Sequence, residues 1–269
     1  MHLSLFRRSV LAIALTAAFS VYADSGDDST PPPGIDQLSN PAGPAAKDDA
    51  TPVRKMLLSN MGHTVGFRGG MAQESYFLMQ SMNKQRSTLD AMYRFATIIE
   101  PSGALPPVIV EAQDIAHITG NQIRTANKVY KIIRGEEFVS VPPTWRDYLF
   151  TGLTTDSSAS YPGAESQPAN SAEEAIWGDA VKAGWGEGIR QADAIVEANF
   201  HRLTRDYIGM MRYTVLLHRG MIGKTEVAEQ VKSVTSSAKQ LTIGETHKQL
   251  TKPAEFQQNP DRWSPVISR

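Results

Sequence analysis

Three glycines within five positions, Gly184, Gly186 and Gly188, are spaced as closely as in a loop that cradles a phosphate. A phosphate loop lies after a buried strand and before a helix, where backbone N–H groups are free to bind the anion. Here the glycines fall inside a helical pattern and no strand precedes them, which argues against a nucleotide site. Because an interior glycine costs about 0.5–1 kcal/mol relative to alanine, we expect another helix or strand to approach closely, with Trp177 and Trp185 beside the groove.

Acidic residues are the next candidates for chemistry, because glycan hydrolysis needs an acid and a base or nucleophile on the two sides of a cleft. Adjacent glutamates occur at 136–137, where we expect a turn, and at 173–174, where we expect a helix to begin. Acidic residues there commonly serve solubility and the helix dipole. Asp147 in TWRDYL is a further candidate, but a short helix with ion-paired Arg146 and Asp147 is the preferred interpretation.

The residue types give little support for a metal site or a thiol nucleophile. Of the six histidines, none forms an HExxH motif, and the chain has no cysteine. A zinc site and a thiol nucleophile are therefore disfavoured, and no G-x-S-x-G elbow occurs. The residue patterns therefore contain no recognisable catalytic constellation.

A long amphipathic helix positions the glycines. Ser171 and Glu174 form an S-x-x-E pattern that predicts a capping box at its start. Apolar residues then recur at spacings of three or four, as on the buried face of a helix. The members of this stripe are Trp177, Val181, Trp185, Ile189, Ala192, Val196, Phe200, Leu203 and Tyr207.

Other patterns predict a mixed fold. Helical spacing predicts a helix over about 70–97. Runs rich in β-branched residues predict strands at 105–111, 122–133 and 137–141, the last two forming a hairpin. Residues 142–150 predict a short helix with Pro143 in its first turn. The fold class is therefore α+β, predominantly helical, with a long amphipathic helix and a small antiparallel β element.

Composition divides the chain further. An arginine pair, an apolar run and a VYA site are typical of a secretory signal peptide, so we expect the mature chain in an exported compartment. The predicted segments are 1–23 signal peptide, 24–54 disordered leader, 55–222 α+β domain with a polar loop at 154–170, and 223–269 mixed tail with one strand near 240–244. The formal net charge is −1, without a basic block, which argues against direct nucleic-acid binding.

Four stretches carry a resemblance to a known family. They are LPPVIVE (105–111), NKVYKIIRGEEFVSVPPTWRDYLF (127–150), GWGEGIRQAD (184–193) and LTRDYIGMMRY (203–213). In this order they resemble the DotC family of type IVB (Dot/Icm) secretion, whose counterpart in I-type plasmid conjugation is called TraI. The similarity spans about residues 70–222.

This resemblance implies a periplasmic structural subunit of an outer-membrane-associated core complex, which is not an enzyme and needs no cofactor. Such a subunit acts with DotD-like and DotH-like partners, helps to place the DotH-like protein, and contacts copies of itself in a ring. Family members are typically lipoproteins, whereas this chain has no cysteine, so attachment through partners is expected. The residues expected at subunit contacts or in the supporting core are Trp145, Arg146, Asp147, Tyr148, Trp177, Gly184, Trp185, Gly188, Gln191 and Asp193.

Two alternatives belong to other classes of protein. A periplasmic peptidoglycan hydrolase would clear a path for the apparatus with a pair of carboxylates. A soluble periplasmic binding protein would gain thermal stability from a small ligand.

Overall fold

The computed structural model describes residues 31–39, 51–119, 122–155, 167–237 and 240–264. The expected signal peptide lies outside these residues, as does 156–166 of the predicted polar loop. The chain divides into two compact units. The first comprises the described residues up to Thr88 with Gly152–Glu197, and the second comprises Leu89–Thr151 with the described residues from Ala198 onward. The α+β class, predominantly helical with a long helix and small antiparallel sheets, is confirmed.

Within its described residues, the first unit contains helices and no strand. They are α1 (Ile35–Ser39), α2 (Pro52–Lys84) and the first part of α5 (Ser171–His218). Their buried side chains form one apolar cluster, made of Leu38, Leu58, Val65, Trp177, Val181 and Trp185. The stripe predicted from spacing therefore supplies one wall of this core, and α2 supplies the facing wall.

Helices α1 and α2 each correct one expectation. Helix α2 begins at Pro52 rather than near 70, with Thr51 as its N-cap, and ends at Lys84 before the short helix α3 (Arg86–Met92). The predicted disordered leader also contains α1, whose Leu38 is fully buried. Helix propensity disfavours the first half of α2, because its interior glycines are costly. The packing of α5 against those glycines outweighs that cost.

The start of α5 differs by one residue from the predicted capping box. The side chain of Asn170, not Ser171, accepts the Glu173 N–H at 2.9 Å, so Asn170 is the N-cap. Glu173 takes the place expected of Glu174, and its Oε2 accepts the Ala169 N–H at 2.9 Å. Asparagine and serine serve equally well as N-caps, so the motif alone did not decide between the two registers.

Glu173 also forms an ion pair with α2. Its Oε2 lies 3.1 Å from Nη2 of Arg54, while Nε of Arg54 donates to Oε1 at 3.3 Å. The Arg54 guanidinium holds the pKa of Glu173 below its usual range. A carboxylate with a lowered folded-state pKa stabilises the fold above its unfolded pKa, about 4.3, and loses this contribution as pH falls.

We therefore expect acid to weaken the first unit partly through Glu173. Between pH 5 and pH 3, the free energy of unfolding should fall less steeply for Glu173→Gln than for the natural protein, measured by urea titration at each pH. Glu174→Gln, on the exposed side of the same turn, is the matched control and should keep the natural slope. Parallel slopes for all three proteins would contradict this role.

The second unit combines short helices, the rest of α5 and all the strands. Its short helical elements in the described residues are most of α3, 3-10 turns at Phe95–Thr97 and Pro260–Arg262, and α4 (Trp145–Leu149). Its strands are β1 (Ala104–Leu105), β2 (Val108–Thr119), β3 (Gln122–Arg134), β4 (Glu137–Phe138), β5 (Glu226–Ser237) and β6 (Gln240–Lys252). One buried cluster holds the strand bases against α5, and it consists of Ile109, Tyr213, Leu216, Ile222 and Ala254.

Strand pairing corrects the predicted hairpin. β2 pairs with β3 in antiparallel register from Val108↔Arg134 to Thr119↔Gln122, whereas β4 pairs with β1. The prediction that β3 and β4 form the hairpin is therefore wrong. Pro106 and Pro107 separate β1 from β2, since proline cannot donate to a strand ladder.

The tail holds more β structure than the single strand expected near 240–244. β5 and β6 pair from Glu226↔Lys252 to Ser237↔Gln240. We name β2–β3 the first ribbon and β5–β6 the second ribbon. The second ribbon is polar along most of its length, and this explains why apolar alternation failed to reveal it. None of the helices in the described ranges has the length and hydropathy that a membrane crossing needs.

Candidate interaction surfaces

Gly184 and Gly188 lie where α2 and α5 touch. A Cβ at Gly184 would overlap the carbonyl oxygen of His63, and one at Gly188 would overlap the carbonyl oxygen of Phe67. The expected close approach of another helix is confirmed at both positions. At Gly186 the nearest atom is in the Arg190 side chain at 3.5 Å, so this glycine has no such role.

The facing helix contributes its own glycines to this seam. A Cβ at Gly66 would overlap the carbonyl oxygen of Val181, and one at Gly70 would overlap that of Trp185. A Cβ at Gly62, one turn before Gly66, would lie 3.0 Å from the carbonyl oxygen of Trp177. Small residues at every fourth position let two backbones approach closely. We name this set of contacts the glycine seam.

Trp177 links the glycine seam to α1. Trp177 is fully buried, and its Nε1–H donates to the carbonyl oxygen of Leu38 at 3.0 Å. A Cβ at Gly69 would overlap Cδ1 of Leu38 and would lie 2.9 Å from Cζ3 of Trp185. Four of the residues singled out from sequence, Trp177, Gly184, Trp185 and Gly188, thus belong to the core of the first unit.

Two further residues of that segment have other surroundings. Gln191 is exposed on α5. Asp193 is half-buried and faces Glu74 of α2, whose pKa is raised by burial and by the negative charge of Asp193. Gln191 is thus available at the surface of the first unit.

The TWRDYL segment folds into α4 and joins the core of the second unit. Trp145 is 1% exposed, and its Nε1–H donates to Oδ1 of Asp90 at 2.7 Å. The Arg146 guanidinium lies 4.1 Å from the Trp145 ring centroid, and its Nη1 is 3.8 Å from the same Asp90 oxygen. Asp147 instead caps the helix, since its Oδ2 accepts the Thr144 N–H at 2.6 Å.

Tyr148 stacks in an aromatic cluster. Its ring lies 5.5 Å from that of Phe95 with an interplanar angle of 6°. Phe95 also meets Tyr207 edge-on at 5.2 Å. The ion pairing expected for Arg146 is present, whereas that expected for Asp147 is replaced by the helix cap.

A buried carboxylate near this cluster was not singled out from sequence. Asp206 is 1% exposed, and its Oδ2 accepts from Nη1 of Arg134 at 2.9 Å. Its Oδ1 accepts from Nε and Nη2 of Arg205 at 2.9 and 2.8 Å. Because Arg134 ends β3, this triad fixes the base of the first ribbon to α5. The one sequence signal for this triad is RDY (205–207), which lies in the stretch 203–213 that resembles the DotC family.

Glu136 fixes the base of the second ribbon. Its Oε1 accepts the Thr225 hydroxyl at 2.6 Å and the Ala254 N–H at 2.5 Å. Thr225 precedes β5 and Ala254 follows β6, and both are buried. One carboxylate therefore ties together the two ends of the second ribbon.

We expect Glu136→Ala to cost about 2 kcal/mol of unfolding free energy, because two buried donors lose their acceptor. Its neighbour Glu137 is exposed, so Glu137→Ala should change stability by less than about 0.5 kcal/mol. Urea unfolding, together with hydrogen exchange of peptides containing Thr225 and Ala254, measures both effects. Equal losses from the two variants would contradict the anchoring role.

The ribbons expose apolar side chains and open strand edges. Within the described residues each ribbon is a separate two-stranded sheet. Val231 and Ile243 of the second ribbon are 64% and 74% exposed, and Val129 of the first is 40% exposed. An isolated two-stranded ribbon is only marginally stable in water, and open edges readily pair with other strands. Both ribbons therefore present surfaces suited to partners.

Three of the carboxylates weighed for catalysis, Glu136, Asp147 and Glu173, have structural partners, whereas Glu137 and Glu174 are exposed. Glu136 and Glu173 accept backbone and side-chain donors within the fold. Groups of three or more His, Cys, Asp or Glu able to hold a metal ion do not occur in the described ranges. Glu136 and Glu173 thus hold folded elements together.

Taken together, these features define an α+β protein with a glycine-packed helix pair and two open β-ribbons. A family model described as "Type IV secretory system, conjugal DNA-protein transfer" matches residues 52–265. That match covers most of the chain, so the protein belongs to this family and is a component of type IV secretion or conjugal transfer. No curated protein matches the sequence.

Proposed function

We propose that this protein is a structural subunit of the outer-membrane-associated core complex of a type IVB secretion or conjugation system. In this role it helps to assemble and position a DotH-like partner, together with a DotD-like protein and further copies of itself. It resides in the periplasm and reaches the outer membrane through these partners. The DotC-like stretches and the family match support the system to which it is assigned.

The observation that carries this proposal is the pair of open ribbons. Each has strands of 12 or 13 residues, which corresponds to about 40 Å at 3.3 Å per residue. A ribbon of this length with apolar side chains in water gains stability when a neighbour adds a strand or covers a face. Such a surface suits a protein whose work is assembly.

The hydrolase alternative lacks a supporting observation. Of the carboxylates considered for glycan cleavage, one in each adjacent pair serves as an anchor: Glu136 for the second ribbon and Glu173 for the first turn of α5. Substituting either one should therefore change stability first, and should create no defect in peptidoglycan clearing.

Fractionation tests the proposed attachment. In cells that contain the DotD-like and DotH-like proteins, we expect this protein in the outer-membrane fraction. In cells that lack both partners, we expect it in the soluble periplasmic fraction. Recovery in the outer-membrane fraction without either partner would contradict attachment through them.

A further inference from the structure

A cleft in the second unit has no assigned role. It has a volume of about 370 Å³ and opens between the first ribbon and the C-terminal half of α5. Glu111 and Lys128 lie on its ribbon wall, and the buried side chain of Leu216 lies on its helix wall. The cleft is separate from the glycine seam and from both ribbon anchors.

The helix wall of this cleft is apolar and uncovered. Ile208, Met211 and Val215 line it and are 48%, 43% and 46% exposed. Their spacing of three and four residues places them on one face of α5. Three large apolar side chains in a row, each close to half exposed, are a typical docking ridge.

The polar side of the cleft carries an excess of positive charge. Glu111 is already engaged, since its Oε1 lies 2.9 Å from Nζ of Lys128 and its Oε2 lies 3.3 Å from Nε of Arg212. Arg219, a third cation of the lining, pairs with no carboxylate in the part of the chain that the structure describes. Three cations thus face one carboxylate, and Arg219 is free to receive a second.

We propose that this cleft receives a segment of a different protein that presents an aspartate or glutamate beside aliphatic side chains. The aliphatic groups cover Ile208, Met211 and Val215, and the carboxylate pairs with Arg219. A second copy docking cleft to cleft would bring like charges together, which disfavours that occupant. The inference rests on the proposed function, because a neighbouring subunit of the apparatus supplies the segment.

Photo-crosslinking from within the cleft tests this directly. The full-length chain carries p-benzoylphenylalanine in place of Met211, in cells with the assembled apparatus, and the adduct is sequenced by mass spectrometry. We expect a peptide of another protein, with Asp or Glu close to aliphatic residues. The matched control places the same probe at Met92, which is 54% exposed in the same unit but does not line the cleft, and should not give that adduct.

Charge variants provide the second readout. Arg219→Glu should lower the yield of the Met211 adduct at least about tenfold, because it turns an attractive contact into a repulsive one. Arg219→Lys should keep most of the yield. Val215→Asp, which adds a negative charge on the apolar ridge, should lower the yield in the same way. Unchanged urea midpoints for these variants establish that folding is intact.

Different outcomes separate this inference from the proposed function. An adduct to a second copy, to lipid or to a peptide without carboxylates would overturn the cleft assignment. So would the absence of an adduct while the protein still co-purifies with the apparatus, or a yield insensitive to Arg219→Glu and Val215→Asp. Recovery of the protein as a free monomer from the same cells would overturn the proposed function as well.

Discussion

Gly184→Ala should destabilise the first unit by about 3 kcal/mol, because the added methyl group meets a backbone that cannot move aside. In the fold this methyl group would overlap the carbonyl oxygen of His63 and approach the backbone nitrogen of Phe67. Relief requires α2 and α5 to separate, which loosens the seam around Trp177 and Trp185. The substitution would ordinarily favour a helix, so the sign of the effect reports the helix contact.

Gly178→Ala is the matched control in the same helix. Apart from its chain neighbours and the nearby backbone of α5, no described atom lies within 4 Å of a Cβ built at Gly178, so alanine should stabilise the protein by about 0.5–1 kcal/mol through helix propensity. Urea unfolding, with hydrogen exchange of peptides from α2 and α5, measures both variants. Equal stability of Gly184→Ala and Gly178→Ala would show that the two helices do not touch at Gly184.

Removing both cations from Asp206 should have the largest electrostatic effect. The double variant Arg134→Met and Arg205→Met leaves a carboxylate that is 1% exposed without a counter-charge. Breaking a buried ion pair in this way costs about 3–5 kcal/mol, because the remaining charge is neither hydrated nor paired. The base of the first ribbon should loosen, since Arg134 is the last residue of β3.

Adding Asp206→Leu to that double variant should restore most of the lost stability. An apolar group of similar size then replaces the buried charge, which is often neutral or stabilising. Asp206→Leu alone should cost less than the double variant, because Arg134 and Arg205 are 41% and 51% exposed and remain in contact with water. If the triple variant is no more stable than the double, buried charge is not the cause of the loss.

The long helix and the fold class could be predicted because their signals are local. Apolar residues at helical spacing mark α5 from Trp177 to Tyr207, and most of them are buried or partly buried. The first half of α2 could not be predicted in this way. Its glycines lower helix propensity, and the compensating contact with Val181 and Trp185 lies over 100 residues away in sequence.

The pairing of the strands could not be predicted from the sequence, for a similar reason. β-branched residues mark β2 and β3, yet the partner of β4 is set by its position beside β1 and not by local sequence. The second ribbon could not be predicted because its strands are mainly polar, as expected for a surface that the described part of the chain does not cover. Exposed Val231 and Ile243 interrupt that polarity without forming a regular alternation.

The role of a candidate residue could be predicted where it depends on the side chain itself, and could not be predicted where it depends on distant partners. The tryptophans at 145, 177 and 185 are buried, as their size favours. The anchors Glu136 and Asp206 could not be recognised, because a glutamate at a turn and an aspartate on a helix resemble solvated residues until their partners are known. The cleft around Arg219 was also beyond sequence reasoning, since its walls come from elements about 100 residues apart.

The measurement that tests the central claim most directly is the mass and composition of the native particle that contains this protein. The envelope of cells with an assembled apparatus is solubilised gently, and the protein is isolated without denaturation. We expect a very large assembly that contains several copies of this chain with DotD-like and DotH-like proteins. Recovery as a free monomer from such cells would contradict its role as a structural subunit.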